Sequence, residues 1–498
     1  MCSMATWSLG RRDCALGRHS SAPRRCRRTG RRIQIKTARA PLLLFSGRRS
    51  IRRSARMSEQ TILSAEETPN YRTPEQEAAF KGAGAPRAHE VPVAQLNPLN
   101  AHLFKENRWA EVFERLRAED PVHLNELELA GRYWSLTRYE DIAAVDRDWE
   151  TFSSAHGITL GFQIGTEVQG GVFQGTNSPF IAQDPPTHGA QRRTVNGVVS
   201  PGNLAKLEPL IRERTIKVLE SLPEGEAFDW VDTVSIELTT LMLATLFDFP
   251  LEDRRKLTRW SDVVFAIPEP GGIVETQGQK REELLACVEY FARLWEERRA
   301  NPGGDLVSML VHGEATKDSS PMEHLGNLLL LIVGGNDTTR NTMSGSVYAL
   351  NQFPEQYDKL IARPGLIPNM VAEVIRWQTP LAYMRRTAKR DVEIGGRQIR
   401  ENDQLLMWYA SGNRDESVFP NADVLDIERE NARSHLSFGF GIHRCMGNRL
   451  AELQLRILWE EILPRFEKIE VLEEPTRTFS SFVKGYTRLP VKVTRKAG

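Results

Sequence analysis

The stretch Phe438-Gly439-Phe440-Gly441-Ile442-His443-Arg444-Cys445-Met446-Gly447 decides how the rest of the chain is read. Glycines flank a single cysteine, and apolar residues then recur at three and four spacing over 446–466, so a helix follows the cysteine directly. The free N–H groups and positive dipole end of a helix start stabilise a thiolate. Glycines let backbone pass close to a flat macrocycle and donate to the sulfur. These are the requirements of a cysteine that ligates a haem iron. The other reading is a buried, inert cysteine beside a glycine-rich turn, the commoner fate of a cysteine taken alone. No second cysteine stands nearby, which argues against a zinc ribbon or an iron–sulfur cluster.

Upstream, Gly334-Gly335-Asn336-Asp337-Thr338-Thr339 interrupts an apolar helical pattern over 320–350. Ser320, Pro321 and Glu323 open that helix as a capping box with proline at its first position. Six poor helix formers in mid-helix are costly. They mark either a packing kink or a widened turn that admits a small ligand, with Asp337 and Thr338 as an acid and alcohol pair relaying protons.

Between these stretches lies Glu373-x-x-Arg376, on a helix ending at Trp377, with Arg429 beyond it. Taken alone, such a pair is a solvated contact worth about 0.2–0.5 kcal/mol. Nearer the N-terminus, Asp184-Pro185-Pro186-Thr187-His188-x-x-x-Arg192 predicts a helix capped by Asp184 and started by Pro185. His188 and Arg192 share one face of it at i, i+4 spacing, a face that solvent alone could cover.

Helical periodicity also runs over 203–222, 231–249, 279–299 and 366–377. Short strands interrupt it between Arg385 and Ser411: Asp391-Val392-Glu393-Ile394, a Gly395-Gly396 turn, Arg397-Gln398-Ile399, and Leu405-Leu406-Met407-Trp408-Tyr409. The expectation is a mainly α fold with minor β, a single domain over 100–498 behind a polar lead-in at 57–99. Two long loops, 155–179 and 267–279, are of a length that is usually functional or mobile.

A chain of 498 residues with 40% hydrophobic and 26% charged content is globular. Its net charge of +1 conceals an asymmetry. Residues 1–56 carry fifteen Arg and one Lys against Asp13, which leaves 50 basic and 64 acidic residues from Met57 onward. The body is therefore no nucleic-acid binder on charge grounds. The Arg-rich, Ser-rich leader resembles a transit peptide in composition but lacks an amphipathic period. It is expected to be a disordered, non-native extension, with Met57 as the working start. Its longest apolar run, Pro41-Leu42-Leu43-Leu44-Phe45, falls far short of the roughly 20 residues of a membrane helix. Only Cys287 and Cys445 lie outside the leader, so no disulfide framework is encoded and a cytoplasmic location is expected.

Phe438-x-x-Gly441-x-His443-x-Cys445-x-Gly447 resembles the haem-binding signature of the cytochrome P-450 superfamily, and the other motifs follow in the superfamily's order. The resemblance covers about residues 100 to 492. It implies the cytochrome P-450 fold, with a long oxygen-site helix and a cysteine-ligand loop, and haem b with Cys445 as axial iron ligand. Asp337 and Thr338 would be the proton relay. Glu373, Arg376 and Arg429 would brace the haem-binding core, and His188, Arg192, Arg386 and His443 would hold the haem propionates.

Four stretches resemble one soluble bacterial family, the terminal hydroxylases of medium-chain alkanes and fatty acids: 235–240, 254–262, 334–341 and 447–452. The chain departs from that family at Leu129-Ala130-Gly131-Arg132 and in the loop 155–179, which should roof the pocket. Relatives act also on cyclic terpenes and saturated heterocycles. The resemblance implies omega-hydroxylation of a small apolar substrate by dioxygen, in a pocket walled by Val333, Gly334, Leu381, Met384 and Phe482. Electrons would come from NAD(P)H through a separate reductase and a [2Fe-2S] ferredoxin, received at Arg444, Arg449 and Arg456. A peroxide-driven peroxygenase would not need the Asp337-Thr338 pair. A haem sensor would need neither that pair nor an electron donor.

Overall fold

Apolar periodicity sets the helices that frame the molecule. The expected segments appear as Pro201–Glu220, Glu237–Phe247, Gln277–Ala300, Pro321–Gln352, Ile367–Gln378 and Asn448–Arg465. The computed structural model describes residues 84–127, 131–160, 179–266, 268 and 271–497. The expectations for the leader, for a start at Met57, for Leu129-Ala130 and for the centre of the loop 155–179 fall outside these residues.

Pro321–Gln352 begins as its sequence dictates. Ser320 Oγ accepts from Glu323 N at 3.2 Å, and Glu323 Oε2 accepts from Ser320 N at 2.7 Å. The helix is continuous through Gly334–Thr339. Its buried face carries Leu328, Leu329, Ile332 and Val333. They share a core with Met242, Leu243 and Leu246 of the helix Glu237–Phe247 and with Leu450, Leu453 and Ile457 of the helix after the cysteine. Each such buried side chain contributes about 1.5–3 kcal/mol. A Cβ on Gly335 would lie 2.7 Å from Leu243 Cδ2, so the small residue allows the close approach of the two helices. Thr239 Oγ1 reinforces it by donating to Asn336 Oδ1 at 3.0 Å.

A five-stranded sheet stands beside the helices in the order Val122–Leu127, Gly131–Leu136, Gln404–Met407, Met384–Ala388, Phe152–Ser153. All neighbours are antiparallel except Gly131–Leu136 with Gln404–Met407. The expected hairpin forms as Val392–Ile394 with Arg397–Ile399. A second sheet pairs Pro490–Arg495 with Phe466–Val471 and Phe228–Asp229. Among the described residues no helix is long and apolar enough to cross a membrane.

The strand expected over 405–409 ends at Met407, with Tyr409 opening the short helix Tyr409–Gly412, and the loop expected over 267–279 is already helical from Gln277. The expected helix start at Asp184 also fails. Asp184 caps no helix: Thr187–Val195 starts behind Pro186 without a side-chain cap. Two consecutive prolines delay the helix by two residues, because each disfavours helical backbone in the residue before it. The Asp184 carboxylate instead accepts from Ser153 Oγ at 2.7 Å and Ser154 N at 3.0 Å, tying the segment to the sheet edge.

Candidate functional site

The cysteine loop is built from backbone that only glycine adopts freely. Gly439 and Gly441 both have φ of +64°, in the left-handed region. A Cβ on Gly441 would also stand 2.7 Å from the carbonyl oxygen of Asp146. Cys445 N donates to Phe438 O at 2.7 Å and closes the loop. Asp146, which the sequence did not single out, pins it. Its Oδ2 accepts from Phe440 N at 2.8 Å and Tyr409 Oη at 2.9 Å, while Oδ1 accepts from Arg386 Nη2 at 2.7 Å. Burial pushes the Cys445 thiol up, against the N–H groups of Gly447 and Asn448 and the charges of Arg192 and Arg444, which pull it down. The loop thus supplies the donors a thiolate needs before any metal contributes charge.

Cys445 opens onto a cavity of about 270 Å³. Val333, Gly334, Leu381, Met384 and Phe482, the expected pocket walls, all line it. Leu243, Leu246 and Phe180 line it too. The sequence did not distinguish these three, since an apolar helix face reads the same against a core and against a cavity.

Asp337 and Thr338 both line this cavity, but they face different partners. Thr338 Oγ1 donates to Gly334 O at 2.8 Å, satisfying the carbonyl within the helix. Asp337 turns to Arg340, whose Nη2 lies 3.1 Å from Asp337 Oδ1 and 2.6 Å from Asp262 Oδ1. Asn336 Nδ2 also donates to Asp337 Oδ1, at 3.1 Å. Burial raises the Asp337 carboxyl above the usual range, and Arg340 opposes that shift. An acid held this way keeps a proton more readily than a solvated aspartate does.

His188, Arg192, Arg386 and His443 meet on the same cavity. The two imidazole centroids are 4.1 Å apart. His188 Nε2 and both ring nitrogens of His443 are buried without a hydrogen-bond partner. Burial, then Arg192 among neighbouring charges, lowers His188 to about 4; burial, then Arg386, lowers His443 further. Arg192 Nη2 donates to Arg444 O at 2.5 Å, and among the described residues no carboxylate pairs with it. Two cations and three orphaned nitrogens around one space suit a ligand that brings its own acidic groups.

Glu373, Arg376 and Arg429 are buried, not solvated. Glu373 takes two bonds of 2.7 Å from Arg376 and accepts from Arg429 Nε at 3.0 and 3.1 Å. Arg376 Nη1 donates to the carbonyls of Asn413 and Ala422, both at 2.7 Å, so the network fastens the segment leading to the cysteine loop. Of the three arginines considered for a docking face, Arg444 and Arg449 are exposed. Arg456 is held by Glu208 and Glu460, each at 2.9 Å, and offers little free charge.

Residues 365–493 match the family model described as Cytochrome P450. Linalool 8-monooxygenase from Pseudomonas putida is 36% identical, over 80% of this chain and 98% of that protein. Methyl-branched lipid omega-hydroxylase from Mycobacterium tuberculosis is 32% identical, over 81% and 95%. Among solved structures, CYP153D17 from a Sphingomonas species has 48% identity and a TM-score of 0.72, over 79% of this chain and 98% of that one. Similarity at this level along nearly the whole of each relative places the chain in the cytochrome P450 family of haem monooxygenases.

Proposed function

We propose that the protein hydroxylates the terminal methyl of a medium-length alkane or fatty acid, with Cys445 as the thiolate that holds haem iron. The observation that carries this reading is the cavity itself: aliphatic and aromatic walls from well-separated chain segments converge on one space with Cys445 and Thr338. The orphaned nitrogens of His188 and His443, with Arg192 and Arg386, fit the two acidic groups of haem. When bound, haem supplies the dioxygen activation that thiolate donation favours.

The remaining work falls to side chains. A primary C–H bond is stronger than its secondary neighbours, so terminal attack requires the walls to present the chain end alone. Each tenfold of preference needs about 1.4 kcal/mol. Val333, Leu381, Met384 and Phe482 constrain the chain, and Gly334, with open space where a Cβ would stand, leaves room beside Thr338. Asp337, its carboxyl raised by burial, takes up and gives a proton at the cavity edge, and the Thr338 hydroxyl passes it inward, exchanging its bond to Gly334 O as it does so. Electrons from a separate ferredoxin would arrive at Arg444 and Arg449.

The identity to linalool 8-monooxygenase favours a second reading, oxidation of a branched terpene alcohol in the same cavity. Product analysis with octane, dodecanoic acid, limonene and linalool tests both, using NADH, ferredoxin and reductase in one arm and hydrogen peroxide in the other. Terminal alcohols from both linear substrates, dependent on the electron donor, are expected. Mainly subterminal alcohols contradict the terminal reading, turnover of linalool or limonene alone establishes the terpene reading, and equal product from peroxide alone makes the enzyme a peroxygenase.

A further inference from the structure

A second cavity, of about 260 Å³ against about 270 Å³ for the first, opens elsewhere in the fold. It is large enough for an organic molecule and not merely an inorganic ion. Its lining combines Trp109, Trp377 and Tyr348 with Arg414, Arg477 and Lys484. We propose that it binds a small aromatic carboxylate, whose anionic group meets Lys484 between two arginines while its ring rests on the indole and phenol walls.

Charge and geometry both point there. Arg414 lies over Trp377 at 5.1 Å and over Trp109 at 5.6 Å, and Lys484 Nζ lies over Trp109 at 4.8 Å and over Trp377 at 5.8 Å. Arg477 lies over Tyr348 at 5.5 Å. Two of these cations have carboxylates: Arg414 pairs with Asp423 and Arg477 with Glu474, each at 3.0 Å. Asp423 itself lines the cavity, but both acids are mostly in solvent, 73% and 67% exposed, so water screens them. Among the described residues no carboxylate pairs with Lys484; its Nζ donates to Gln378 O at 2.5 Å and keeps a further N–H to give. Burial, then Arg414 and Arg477, pushes Lys484 well below the ordinary lysine range. An anion in the cavity would relieve that strain, and aromatic walls that already hold cations provide flat apolar contact for a ring.

Binding of 4-fluorobenzoate to the haem-loaded full chain, followed by fluorine NMR, tests the proposal. Saturable binding that leaves the Soret band unmoved is expected. Neutral 4-fluorobenzamide should bind at least tenfold more weakly, and Lys484→Met should weaken 4-fluorobenzoate at least tenfold while Lys484→Arg retains it. Equal binding of the amide, unchanged binding in Lys484→Met, or a Soret shift that places the probe in the haem cavity overturns it. Should Lys484→Met not fold, Arg477→Gln carries the test, with severalfold weakening expected and unchanged affinity contradicting.

Discussion

The imidazoles of His188 and His443 stand 4.1 Å apart, with three of their four ring nitrogens buried and unpartnered. Burial lowers His188 from 6.5 to about 4, so the folded protein without haem holds it neutral while the unfolded chain protonates it. Stability from this group is therefore complete above pH 6.5 and is lost as pH falls toward 4. His188→Phe should flatten the fall in Tm of the haem-free protein across that window. It should also weaken haem retention in the loaded protein. An unchanged slope would show that the ring is protonated through contacts other than those described.

Asp337 and Thr338 should fail in different ways. Thr338→Ala removes the hydroxyl at the cavity but leaves the acid, so NADH is still consumed while oxygen is released as hydrogen peroxide. Asp337→Asn removes the titrating carboxyl and leaves Arg340 with Asp262 alone, so turnover should slow by about 10²-fold or more. Product yield per NADH, with peroxide measured alongside, separates them. Wild-type yields in both variants would end the relay assignment.

The two adjacent glycines of the long helix should tolerate substitution unequally. A Cβ on Gly334 meets open space, and alanine there should be neutral or should stabilise by about 0.5–1 kcal/mol. It should nevertheless shift regioselectivity, since the methyl enters the cavity. A Cβ on Gly335 meets Leu243 in a packed core and should cost about 1–3 kcal/mol more than its neighbour. Urea unfolding of Gly334→Ala and Gly335→Ala, read beside product ratios, checks both statements; the reverse order of stability would refute the packing account.

Removing Glu373 would leave Arg376 and Arg429 buried without a counter-charge. Glu373→Ala is expected to lose about 3–5 kcal/mol of stability, measured by denaturant unfolding. Arg429→Lys should lose less, because the charge remains. A loss below about 1 kcal/mol in Glu373→Ala would mean that the network is solvated in the working protein.

Much of this was legible because local signals happened to be sufficient. Ser320 and Glu323 state a helix start within four residues, and the period after Gly447 continues to Arg465. The hairpin at Gly395-Gly396 is likewise local. What escaped the sequence depends on distant partners. Asp146 gains its role only because Arg386, Tyr409 and Phe440 fold onto it, and nothing around position 146 announces this. Asp184 has a capping residue's type, yet the proline pair behind it sends its carboxylate to Ser153 and Ser154. Arg456 shares a helix with Arg449, and only packing shows that Glu208 and Glu460 already hold it. Nothing in the helix sequence revealed that Arg340 would pair with both Asp337 and Asp262.

The central claim is that the Cys445 sulfur is the axial donor to haem iron. The carbon monoxide difference spectrum of the reduced protein reads that bond directly, because thiolate donation shifts the Soret band to the red. Wild type should show the shifted band, and Cys445→Ser should either lose haem or bind carbon monoxide with an unshifted band. A Cys445→Ser protein that kept the red-shifted band of wild type would contradict the claim and take Cys445 off the iron.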